Sequence, residues 1–107
     1  MVSTEQAGGP PPNPYVWESR DYTGNVIRIS IAFNAGTGAL TGATASRDPN
    51  CVYRKIYFGV GVDGSPDTTG HVINVASGSA NVPVGQLHSA GLDTISDVLA
   101  GQITAGP

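Results

Sequence analysis

The run Asn25-Val26-Ile27-Arg28-Ile29-Ser30-Ile31-Ala32-Phe33 decides the fold. Ile27, Ile29, Ile31 and Phe33 alternate with Val26, Arg28, Ser30 and Ala32, the period of two that belongs to a strand with one face in a core and the other towards water.

Outward from that strand, the turn residues Asn34-Ala35-Gly36-Thr37-Gly38 lead into residues 39–46, which read as a return strand paired in a hairpin. Arg47-Asp48-Pro49-Asn50 is a turn signal, and residues 51–62 form the second convincing strand. Its apolar parity holds Val52, Ile56, Phe58, Val60 and Val62, and its other parity holds Cys51, Tyr53, Lys55 and Tyr57. Arg54 falls on the apolar side, where it snorkels or meets a carboxylate. A short strand follows at 71–76, and Val82-Pro83-Val84 fits only an edge or a bulge because Pro83 has no N–H for a ladder. The period then changes: Leu92, Ile95, Val98 and Leu99 predict one short helix over 92–99, with Asp93 as its cap and Gly91 and Gly101 at its ends. On the other side, residues 15–19 read as a first strand or docking segment. Residues 1–14, with Gly8-Gly9-Pro10-Pro11-Pro12-Asn13-Pro14, read as a flexible tail of polyproline II character ahead of a single β-rich domain over 15–107. Strands with turns every eight to twelve residues give a mostly β fold, a small antiparallel sandwich or barrel with one short C-terminal helix; α+β is the alternative.

The 107 residues suffice for one core. With 5 Lys and Arg against 8 Asp and Glu, a net charge of −3 and no basic cluster, the chain offers phosphate backbones and anionic lipid little attraction, so neither nucleic acid nor membrane is an expected partner. Cys51 is the lone cysteine, which excludes an internal disulfide and a thiolate metal cage. The opening Met1-Val2-Ser3-Thr4-Glu5-Gln6 shows no basic segment followed by an apolar run, and the compartment stays open.

Three patterns touch on chemistry. Gly59-Val60-Gly61-Val62-Asp63-Gly64 has the spacing of a dinucleotide loop, but polar loop residues follow it in place of a helix, so its glycines read as a kinked strand end and no cofactor is assigned. Asp63, Ser65, Asp67 and Thr69 share the one-three-five-seven spacing of a calcium loop. Thr68 stands where glycine belongs and Asn74 where a bidentate glutamate belongs, so the segment reads as a hairpin loop and no metal is assigned. His71, His88, Ser89, Asp93 and Cys51 are the candidate nucleophiles and bases, none in a diagnostic setting, and no catalytic residue is assigned.

What remains is the strip Tyr53, Lys55 and Tyr57, two amphipathic rings on one parity of a strand, which Arg28 extends if its strand lies in the same sheet. The expected function is a noncatalytic binding module that presents this aromatic face, or its loops, to a sugar, peptide or protein. The alternatives are a structural subunit self-associating through poorly charged sheet edges, which makes a homo-oligomer the expected state, and a small enzyme with a dispersed site.

Overall fold

The structure is a computed structural model and describes residues 10–59, 63, 67 and 70–107. β1 (Tyr15–Arg20), β2 (Val26–Phe33) and β3 (Leu40–Arg47) form an antiparallel meander. β6 (Gly78–Val82) adds to its far side, giving the four-stranded order β1-β2-β3-β6. β4 (Lys55–Phe58) is the centre of a second, three-stranded sheet, flanked by β5 (Val72–Asn74) and β7 (Ile103–Gly106). Between β6 and β7 lie two short helices, α1 (Val84–Ser89) and α2 (Ile95–Ala100). The chain is mostly β, as its alternation predicts.

Both sheets and both helices close over one core. Ile27, Ile29 and Ile31 of β2 are fully buried, with Trp17 of β1 opposite Ile29 and Tyr15 opposite Ile31. Across the next strand the partners of Ile29 and Ile31 are Ala45 and Ala43. The sheet therefore carries large side chains on β1 and β2 and small ones on β3, and α1 packs against β3 and buries Leu87. Ile56, Phe58 and Ile73 complete the core from the other sheet. The loop between β2 and β3 holds the start of α2: Ile95 donates its N–H to the Gly38 carbonyl, and Leu40 donates to that of Asp93.

Several expectations need correction. The strand read over 51–62 is regular only at Lys55–Phe58, and residues 60–62 lie outside the described residues. Ahead of β4 the parity is reversed, with Cys51 fully buried and Val52 exposed. The cause is hydrogen bonding: Cys51 donates its N–H to Asp48 and Val52 to the side chain of Asp21, so neither residue sits in a ladder. Arg54, expected to snorkel at the rim or to meet a carboxylate, is exposed and donates to the Cys51 carbonyl. Among the described residues there are two helices instead of one, because Pro83 ends β6 and stands at the N-cap of α1. The cap of α2 is Thr94, one residue beyond Asp93; its hydroxyl accepts from the Asp97 N–H while Asp97 accepts from the Thr94 N–H. The pairing of β2 with the return strand shifts by a bulge between Ala32 and Phe33, and the Phe33 side chain is only half-buried. Within the segment read as a tail, the Asn13 amide donates to the Phe33 carbonyl and accepts from the Phe33 N–H.

Candidate functional site

The turn joining β1 to β2 is built around one buried carboxylate. Asp21 Oδ1 accepts from the N–H of Thr23 at 2.9 Å, the Thr23 hydroxyl at 2.7 Å and the N–H of Asn25 at 3.0 Å. Its Oδ2 accepts from the N–H of Val52 at 2.9 Å, which ties the turn to the chain entering β4. Burial pulls this carboxyl's pKa upward, yet the donors from Val52, Thr23 and Asn25 outweigh it and hold the group well below the usual carboxylate range. Gly24 takes the left-handed conformation, φ +89°, that lets the turn close, and Arg20 donates to its carbonyl. The side chain of Asn25 donates to the Thr23 hydroxyl and to the Asn50 carbonyl. Inside this network one side chain is left out: Tyr22 is 85% exposed, and Val52 beside the shared carboxylate is exposed as well. Sequence reading passed over Tyr22 because it belongs to no periodic run; the signal was the aromatic inside Asp21-Tyr22-Thr23-Gly24, a turn sequence that gives a ring nowhere to bury.

The predicted strip is placed differently. Lys55 and Tyr57 lie on the outward parity of β4, flanked by Asn74 and Gly106 and by Val72 and Thr104 respectively. Both are half-buried. The Tyr57 ring leans across β7, where a side chain on Gly106 would meet Cε2 at 2.9 Å, and Tyr53 packs against the core from the irregular segment before the strand. Arg28 is in the other sheet, so it does not extend this surface. It pairs instead with Glu18 across β1 at 2.7 Å. On that same outer face a depression of about 490 Å³ is lined by Ser30, Thr44, Asn81 and the prolines 14 and 83.

The candidate bases each meet a carboxylate. His71 Nδ1 lies 3.2 Å from Asp67 Oδ2, and His88 Nδ1 lies 2.8 Å from Asp93 Oδ1. The His71 ring lines a cavity of about 240 Å³ together with Asp97 and Gly91. Gly91, at φ +82°, leaves the room that this ring fills, since a Cβ there would stand 2.7 Å from Nε2. Asp97 is committed to its helix: the N–H groups of Thr94 and Asp93 hold its pKa below the ordinary value. Ser89 donates to the Gly85 carbonyl one turn back, and Cys51 is buried with its thiol towards the Asn25 carbonyl. Among the described residues no three metal-ligating side chains converge. Most of the loop carrying Asp63, Ser65, Asp67 and Thr69, and the glycines 61 and 64, lie outside the described residues. No described helix is long and apolar enough to cross a membrane. No family model, no curated protein and no solved structure matches this chain.

Proposed function

We propose that the chain is a noncatalytic binding module that engages a protein partner through the β1–β2 turn, with Tyr22 as the anchor and Val52 at its side. The observation behind this reading is the exposure of Tyr22, 85%, on a turn whose other groups are fixed by Asp21. A ring held out on a rigid turn meets a pocket with little ordering cost, and tyrosine brings a large contact area with few rotatable bonds. The neighbouring polar groups favour a protein over a sugar. Arg20, Thr23 and Asn25 are already hydrogen-bonded within the turn, whereas a sugar needs convergent polar groups with bonds to give. Lys55 and Tyr57 provide a second contact surface, half-exposed at the centre of the three-stranded sheet. The working state is a homo-oligomer, a reading supported by the low charge of the strands.

A photo-crosslinking phenylalanine analogue in place of Tyr22 tests this in extracts of the source cells, beside the same probe at Thr44 on the outer sheet face. The expected result is one protein captured from position 22 alone, competed by excess wild type and not by Tyr22→Ser. Equal competition by Tyr22→Ser, or binding to a glycan panel that survives this change, overturns the reading.

A further inference from the structure

Each sheet ends in two edge strands, and they differ in what covers them. β1 carries Glu18 and Arg20, and Tyr15 and Val16 make further contacts. β5 is three residues long, and β7 is half-buried with Gly106 buried. β6 is unlike the others. Its sequence Gly78-Ser79-Ala80-Asn81-Val82 has no charged residue, proline or bulge, its first four residues are exposed, and among the described residues it pairs only with β3. Among the described residues no other backbone hydrogen bond reaches Gly78–Val82. Ala80 sits opposite the buried Ala45 and so faces the core side of the sheet, yet it is itself exposed: the core layer stops short of this edge. Natural edges of this length are normally blunted by a charge or a proline, and this one lacks both.

We propose that β6 pairs antiparallel with β6 of a second copy of this chain about a two-fold axis at Ala80, which deepens the homo-oligomer reading above and rests on it. The strand is complementary to itself. With Ala80 opposite its own copy, Ser79 lies opposite Asn81 and Gly78 opposite Val82, so each large side chain meets a small one and each polar residue meets a polar one. No like charges meet at the junction, and the axis keeps both outer faces on one side because paired residues share parity. The two four-stranded sheets become one continuous sheet, and the exposed Ala80 side chains cover each other. A five-residue strand contact is small beside the roughly 1,200 Å² of a stable complex, so the dimer is concentration-dependent and exchanges readily.

Sedimentation velocity over a wide concentration range tests this on the full chain. Wild type is expected to move from monomer towards dimer as concentration rises. Ala80→Lys and Ala80→Glu are each expected to stay monomeric, and their mixture to dimerise, because opposite charges then face each other across the axis. Asn74→Lys, which puts the same charge on the β5 edge, is expected to leave the dimer intact. Wild type that stays monomeric throughout overturns both the interface and the oligomer reading. A dimer that Ala80→Lys leaves intact, or that Asn74→Lys dissolves, keeps the oligomer and overturns the β6 interface. If the charged variants do not fold, Ala80→Cys replaces them: an intermolecular disulfide on mild oxidation is expected, with Ser79→Cys remaining uncrosslinked, and the reverse pattern overturns the register.

Discussion

In the four-stranded sheet, β2 alternates without interruption and buries Ile27, Ile29 and Ile31 completely, with a partner strand on each side. In the three-stranded sheet the regular part of β4 is four residues, and the chain ahead of it is positioned by single hydrogen bonds that Cys51, Val52 and Arg54 donate to Asp48, Asp21 and Gly106. The first sheet spreads its stabilisation over many nonpolar contacts. The second depends on a few polar groups at its entry, and Asp21 ties that entry to the β1–β2 turn, beside Asn25 bonded to the Asn50 carbonyl and Arg47 of β3 bonded to that of Val75. Damage should therefore be graded by packing in the first region and by hydrogen bonding in the second.

Ile29→Ala gives the largest expected effect. Its side chain is fully buried between Trp17 and Ala45, so truncation removes burial and leaves a cavity that small neighbours cannot fill, at a cost of about 2–5 kcal/mol. A denaturant titration checks this; a midpoint near wild type would mean that β2 is not the scaffold of the core.

Asp21→Ala comes second. It leaves the N–H groups of Thr23, Asn25 and Val52 without their acceptor and releases the turn from the β4 entry, so the melting temperature should fall by many degrees. Acid acts on the same group. Its pKa is depressed in the folded state, so its stabilising contribution is present above the ordinary aspartate value, about 3.9, and is lost as pH falls below that value towards the folded one. Asp97 contributes in the same direction. Melting curves from neutral pH down to pH about 3 should show this loss in wild type and a shallower one in Asp21→Asn, where the titrating carboxylate is gone. An unchanged acid slope in Asp21→Asn would remove Asp21 as the tie between the turn and the β4 entry.

The same contrast explains what could be read in advance. β2 and its hairpin with β3 were legible because burial on one face writes a period of two into the sequence, as Ile27, Ile29 and Ile31 do. Cys51 and Val52 could not be placed, because their sides are set by Asp48 and by Asp21, thirty-one positions away in the case of Val52, and a long-range hydrogen bond leaves no local pattern. α1 was hidden by Pro83, which reads equally well as the end of an edge strand and as the start of a helix. β7, Ile103-Thr104-Ala105-Gly106, is too short and too small in its side chains to announce itself. As for the candidate surface, Lys55 and Tyr57 stand on the parity opposite the buried Ile56 and Phe58, but that Arg28 stands in another sheet depends on topology, which no parity argument reaches.

Gly91→Ala tests the second region at a smaller scale. The added methyl meets the Cδ2–Nε2 edge of the half-exposed His71 side chain, which can swing away, so the cost comes mainly from forcing alanine to φ +82° and should be about 1–2 kcal/mol. Thermal unfolding measures it. The imidazole resonances of His71 should move while those of His88 stay in place, and a shift confined to His88 would mean that the His71 ring does not occupy this space.

The smallest expected effect separates binding from folding most cleanly. Tyr53 packs against the core and Tyr57 leans over Gly106, so replacing either with Ser removes native contacts and should lower stability. Tyr22 stands 85% in water, and the bonds that shape its turn come from Asp21, Thr23, Asn25 and Arg20, none of them from its own ring. Tyr22→Ser should accordingly change the unfolding free energy by less than about 0.5 kcal/mol, the range of an ordinary surface substitution. The turn itself should persist, which amide exchange at Thr23 and Asn25 reports, since both N–H groups remain bonded to the carboxylate. An exposed ring with no part in stability has no structural reason to be aromatic, and that is the sense in which this variant sharpens the proposal. If Tyr22→Ser unfolds the chain or exposes those amides, the ring is part of the turn's own structure and the anchor must be sought on the Lys55 and Tyr57 face instead.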